Sequence, residues 1–99
     1  MTLKILRDVG DAGTTIRLIG RLRAEHIEAV RAEIAAGRGP TVLDLDELIL
    51  ADIDAVRLLV AVESEGVILE HCAPFIREWM ANEAGQRRAI DKEGPGGRR

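Results

Sequence analysis

The first two dozen residues alternate. "LKILRD" and "TTIRLIG" place apolar side chains at every second position, on either side of the Gly/Asp stretch "VGDAG". A period of two gathers like residues on one face of a strand, and a Gly/Asp turn between two such runs predicts a β-hairpin. The period then lengthens. In "RLRAEHIEAVRAEIAAG", Ile27, Val30 and Ile34 recur at helical spacing with charges between them, and Gly37 follows as a stop signal, so an amphipathic helix ending there is expected.

"PTVLDL" reads as a short strand introduced by Gly39 and Pro40, with Val42, Leu43 and Leu45 suited to burial on both faces. After an acidic link and "LIL", Asp54 precedes the largely apolar "AVRLLVAVESEG", where it is expected to cap a mostly buried second helix with only its first turn facing solvent. "VILEH" is expected to be a further buried strand, and "APFIREWMANEAG" a last helix with Pro74 in its first turn. The element order is ββαβαβα. It predicts an α/β fold with a mixed four-stranded sheet, helices mainly on one side, and right-handed parallel connections in the second half.

Composition narrows the class. The 99 residues suit one domain, expected over 1–85, followed by a flexible tail over 86–99 where "GQRRAIDKEGPGGRR" loses apolar content. Hydrophobic residues make up 46% of the chain but only Phe75 and Trp79 are aromatic, so the core must be aliphatic and both rings are expected within it. A formal charge of -3 with dispersed arginines excludes the concentrated basic face that nucleic acid or an anionic membrane would require. One cysteine, Cys72, and no apolar run long enough for a bilayer or a signal peptide point to a cytoplasmic location.

The acids between Thr41 and Gly66 are the main chemical candidates. Asp44, Asp46 and Glu47 flank buried Leu43 and Leu45 and read as solvated strand-end positions. None of the acids follows the glycine-containing spacing of a calcium loop, and no metal or other cofactor is expected. His71 and Cys72 lack the spaced companions of a zinc site, and Cys72 reads as a structural thiol rather than a nucleophile. "GRLRAEH" lacks the repeated glycines of a phosphate loop.

Taken together, "TIRLIGRLRAEHIEAVRAEI", "TVLDLDELILADIDAVRLLVAV" and "GVILEHCAPFIREWM" resemble the STAS domain, the fold of anti-sigma-factor antagonists and of domains attached to anion transporters. The likeness spans roughly residues 3–82. It rests on a strand ending in Gly20 with Arg21 and Leu22 after it, the "LDL" strand at Leu43 to Leu45, and Asp52 directly before a helix. The family pattern after that strand is approximately Asp-Ser-Ser/Thr-Gly, with the second hydroxyl phosphorylated by a partner kinase. Here the matching residues are Asp52, Ile53, Asp54 and Ala55, so Asp54 is equivalent to the phosphosite, and the chain's one serine, Ser64, lies near the far end of the helix. Aspartate carries a fixed charge of about -1 where a phosphoserine carries about -1.5 to -2.

The resemblance implies a non-enzymatic protein-interaction module of bacterial transcription regulation with no catalytic residue. Its implied surface comprises Asp52, Asp54 and Arg57 at the helix entrance, with Asp46 and Glu47 at the rim. Its implied partner is an anti-sigma-factor kinase-like domain or another STAS protein, a homodimer included. Two other readings are an accessory STAS subunit of a membrane transporter docking on a cytoplasmic ATPase, and a small enzyme using Asp52 and Asp54 as acid and base. The enzyme reading requires a pocket that sets the two carboxylates in contrasting environments.

Overall fold

In the computed structural model, which describes residues 3–92 and side chains as far as Gly85, the alternation of the first residues becomes a long hairpin. Strand β1 (Leu3–Gly10) pairs antiparallel with β2 (Gly13–Leu22) from Leu3↔Gly20 to Gly10↔Gly13. Thr14, Ile16, Leu18, Gly20 and Leu22 on β2 are buried, whereas Thr15 and Arg17 between them are exposed. One face of the sheet is therefore covered and the other open. Gly13 lies at φ 144 against Pro40, where a side chain would collide with the Pro40 carbonyl, while the next N–H, of Thr14, donates to that same oxygen at 2.9 Å.

A 3-10 turn (Ala24–His26) leads into α1 (Ile27–Ala36), which buries Val30 fully and Ile27 and Ile34 in part. The helix stops at Gly37 as expected, but the glycine there is extended at φ -75 rather than left-handed. The reason for glycine is close approach, since a Cβ at this position would meet the Thr14 side chain at 2.8 Å.

The second half departs from the expected order in one respect. Strand β3 (Thr41–Asp44) lies parallel to the first part of β2, and then "LILA" forms an additional strand, β4 (Leu48–Ala51), parallel to the last part of β2. The observed order is ββαββαβα, with five strands rather than four. Strand β2 itself continues through Gly20, at φ 108, to Leu22, so Gly20 marks an irregularity within the strand instead of its end. An apolar run this short carries too little periodicity to reveal itself as a strand.

Helix α2 (Ile53–Ser64) buries Ala55, Val56, Leu58, Leu59 and Val62, and α3 (Pro74–Lys92) packs on it with Ile76 and Met80. Full burial of an aliphatic side chain such as Leu59 or Ile76 contributes about 1.5–3 kcal/mol, so this layer accounts for much of the fold's stability. Between the two helices Arg57 meets Glu83 and Glu63 meets Arg77, so α2 and α3 run antiparallel.

Among the described residues strand β5 (Ile68–Glu70) pairs parallel with β3 alone and is an edge, not the buried strand expected, with Ile68 51% exposed. Phe75 is likewise outside the core at 52% exposed, while Trp79 is half-buried against it. Pro74 opens α3, and the ring after it lies on the exposed side of the first turn. Helix α3 also runs past the expected limit at Gly85, because a single glycine costs a helix only about 1 kcal/mol and good helix formers follow it. The remainder of the expected tail, 93–99, lies outside the described residues.

Candidate functional site

The C-terminal ends of the parallel strands, where acids were expected to gather, divide into two places. At the end of β3 the chain turns through Asp46 and Glu47. The Gly20 N–H donates to the Glu47 carbonyl at 3.1 Å, and Arg17 on β2 reaches the Glu47 carboxylate at 3.2 Å. Strand β4 then carries the backbone its own length, roughly 13 Å at about 3.3 Å per residue, before Asp52 and Asp54 begin α2. The rim acids and the helix entrance therefore occupy opposite ends of β4.

At the entrance the capping role belongs to Asp52, not Asp54. Asp52 is extended at φ -83 and its Oδ1 accepts from the Ala55 N–H at 2.9 Å, while its Oδ2 accepts from the Ala24 N–H at 3.0 Å. Its own N–H donates to the Leu22 carbonyl at 3.1 Å. The half-buried side chain thus joins the 3-10 turn to the start of α2, and the backbone N–H of the same residue adds the end of β2. The helix begins two residues earlier than the hydrophobic pattern suggests because Ile53, an apolar residue, occupies its first turn. Asp54 is exposed in that same turn, where a carboxylate suits the positive end of the helix.

Arg57 lies one turn further on and its Nε donates to Glu83 Oε1 at 3.0 Å. The hydrogen bond to Glu83 raises the guanidinium's already high pKa, with Glu83's charge and then Asp54's adding to the effect. Glu83 is 8% exposed, an acid on the apolar stripe of α3 beside Ile76 and Met80. Its place is legible in hindsight, since Ile76, Met80 and Glu83 follow helical spacing and a stripe position held by an acid calls for a basic partner.

A second polar cluster was not anticipated. Asp44, expected to be solvated, has only 18% of its side chain exposed. Its Oδ1 accepts from the Asp46 N–H at 3.1 Å and lies 3.0 Å from His71 Nδ1, and its Oδ2 is 3.7 Å from Arg17 Nε. The hydrogen bond from His71 lowers the Asp44 pKa below the usual carboxylate value against the opposing pull of burial, and the same bond raises that of His71. His71 sits at φ 58, a left-handed conformation uncommon outside glycine, asparagine, aspartate and histidine. No local motif announces this cluster, because β3 and the end of β5 meet only through the parallel sheet.

Next to it, Cys72 is half-buried and burial pushes its thiol pKa up, which favours the protonated form. Among the described residues no group of three His, Cys, Asp or Glu side chains converges as a metal site requires. A shallow cleft lined by Asp8, Gly13, Thr15, Pro40 and Val42 lies at the opposite end of the sheet, away from Asp52 and Asp54. Among the described residues no helix is long and apolar enough to cross a membrane.

No protein-family model matches the chain, and no curated protein matches it by sequence. The fold has a solved counterpart in the unphosphorylated form of the anti-sigma factor antagonist SpoIIAA, which is 20% identical and superposes with a TM-score of 0.62 over 89% of this chain and 97% of that one. The mixed sheet with its three helices is the fold of SpoIIAA, a STAS-type α/β architecture.

Proposed function

We propose that the chain is a non-enzymatic protein-interaction module of STAS type, acting through the end of the molecule where α2 begins. The observation that carries this reading is the exposed carboxylate of Asp54 on the first turn of α2, beside an Asp52 already committed to holding the fold. Asp54 is the equivalent of the hydroxyl that STAS antagonists present for phosphorylation, and it supplies a fixed negative charge there. The fold shared with SpoIIAA supports a partner of the kind an anti-sigma factor antagonist has, a protein with a basic rim such as a kinase-like anti-sigma factor or another STAS protein. A cytoplasmic setting fits such a partner.

Within this surface the residues have unequal parts. Asp54 is the recognition charge; Asp46 and Glu47 form a separate rim beyond β4; Arg57, held by Glu83, is a positioned contact rather than a mobile one. Asp52 is a positioning residue. The acid-base reading loses its support, since Asp52 is occupied by two backbone N–H groups and Asp54 stands in the open.

The test compares wild type with Asp54→Ser and Asp54→Ala in affinity purification from the native cell, with thermal melts alongside. Recovery of a protein partner that changes in both variants while the melts stay close supports the reading, and the partner's class separates a signalling pathway from a transporter assembly. Unchanged recovery in both variants overturns it.

A further inference from the structure

Strands β3 and β4 occupy one lane of the sheet, because Gly20 is paired with Leu3 on one side and with Leu48 on the other. The neighbouring lane is shorter. Strand β5 keeps pace with β3 only to Asp44↔Glu70, the last hydrogen bond runs from the Leu45 N–H to the Glu70 carbonyl at 2.9 Å, and His71 then turns the chain away in its left-handed conformation. Among the described residues β4 pairs with β2 alone, so beyond the Leu48 N–H, which donates to the Leu45 carbonyl, its outer edge presents backbone groups with no strand beside them.

Two features make this edge unusual. Sheet edges are commonly blunted by shortness, lysine, proline, a charged side chain or a covering element; Leu48–Ala51 is short but holds no lysine, proline or charge. Its two middle side chains also face solvent, Ile49 at 62% and Leu50 at 41%, whereas Leu48 and Ala51 are buried and anchor the strand. Glu47 before it is held by Arg17, but Asp46 before it and Asp54 after it are exposed and make no ion pair among the described residues. Strand β1, the long edge on the other side of the sheet, carries Lys4 and Arg7 against a single acid, Asp8.

We propose that the outer edge of β4 accepts an extended segment of a partner protein as an added parallel or antiparallel strand, in which apolar residues alternate with basic ones. This rests on the reading that this end of the molecule faces a partner, and it specifies the form and charge of what the partner presents. Backbone hydrogen bonds to β4 supply affinity, contact with Ile49 and Leu50 supplies the apolar component, and the acids at the two ends select a cationic strand. His71 is the residue that leaves the lane vacant.

The experiment follows the backbone amide signals of the full chain during titration with a blocked peptide in which valine alternates with arginine. A counterpart N-methylated at alternate amides keeps the side chains and charge but cannot complete a strand ladder, and a valine-glutamate peptide tests the sign of the charge. Saturable shifts centred on Ile49, Leu50 and Ala51, with binding at least about tenfold weaker for the N-methylated and glutamate peptides, are the expected result. Ile49→Lys should weaken binding without lowering the melting temperature, since Ile49 is exposed. Equal binding by the N-methylated peptide, shifts gathered on β1 or on the first turn of α2, or no saturable binding would each overturn strand addition. Concentration-dependent shifts of the same amides without peptide would assign the edge to a second copy and overturn it as well. A native partner whose recovery responds to Asp54 while β4 stays unperturbed leaves the interaction reading intact and removes only this one.

Discussion

On the inner side of the α2 entrance, Asp52 accepts hydrogen bonds from Ala55 and Ala24 and ties three elements together, whereas on the outer side Asp54 offers its charge to solvent. The residue type is the same and the positions differ by two. What separates them is direction: the side chain before the first helical turn points back at the exposed N–H groups, and one inside that turn projects away from the axis. An acid at a helix start is thus part of the fold or part of a surface according to a single turn of backbone.

The largest expected effect lies on the inner side. Asp52→Ala removes a cap worth about 1 kcal/mol and a second backbone hydrogen bond worth about as much, so unfolding stability should fall by about 2 kcal/mol. In a domain of this size that lowers the melting temperature by roughly 10 °C. Asp52→Asn, which retains one carbonyl acceptor, should fall between the alanine variant and wild type. Equal melts for all three proteins would erase the difference between the two sides.

The Asp44–His71 contact provides a second inner tie, intermediate in size and dependent on pH. A valine at position 71 would have to adopt φ 58, at a cost of about 1–2 kcal/mol, on top of the lost contact. The histidine's pKa is raised in the folded chain, so its contribution is complete below its ordinary value of 6.5 and disappears as pH rises through the folded value. Asp44, with its pKa lowered, contributes above 3.8 and loses that contribution as pH falls through its folded value. The contact is therefore strongest between those two ordinary values. Melts near pH 5.5 and pH 8.5 should show a loss at the higher pH that His71→Asn, which tolerates the same backbone conformation, reduces. A pH profile unaltered by His71→Asn would remove the contact from the list of ties.

The smallest effect on stability belongs to the outer side. Asp54→Ala should change unfolding free energy by only about 0.3–1 kcal/mol, the value of a carboxylate near a helix N-terminus, while altering partner recovery. If it instead destabilises as much as Asp52→Ala, Asp54 is a structural residue and the outer surface loses its main candidate.

Much of this was readable along the chain, for reasons that differ from element to element. The hairpin, α1 and α2 carry long periodic patterns bounded by Gly or Asp, and they formed on those patterns with shifted starts: β2 runs on to Leu22 ahead of α1, and α2 begins at Ile53. Strand β4 escaped notice because "LIL" is too short to show a period, and it is the added strand that moved Asp46 and Glu47 away from the helix entrance. Phe75 was expected inside because the chain has so few rings, and Ile68 because "VILEH" read as a buried strand, but neither signal says which side of a first helical turn or of an edge strand meets solvent. At the entrance, the acids were legible as a group and their roles were not.

By itself the sequence determined the apolar stripes, the turn points and the charge of the α2 entrance, since these depend on residue type and local spacing. The tertiary structure decided which acid is a cap, which is partnered and which is free. Those outcomes depend on groups far apart in the chain: Asp52 on Ala24, Asp44 on His71, Arg57 on Glu83. It also decided that β4 has an open edge, because an edge is defined by the strand that is missing beside it, and only the assembled sheet shows where the β5 lane stops.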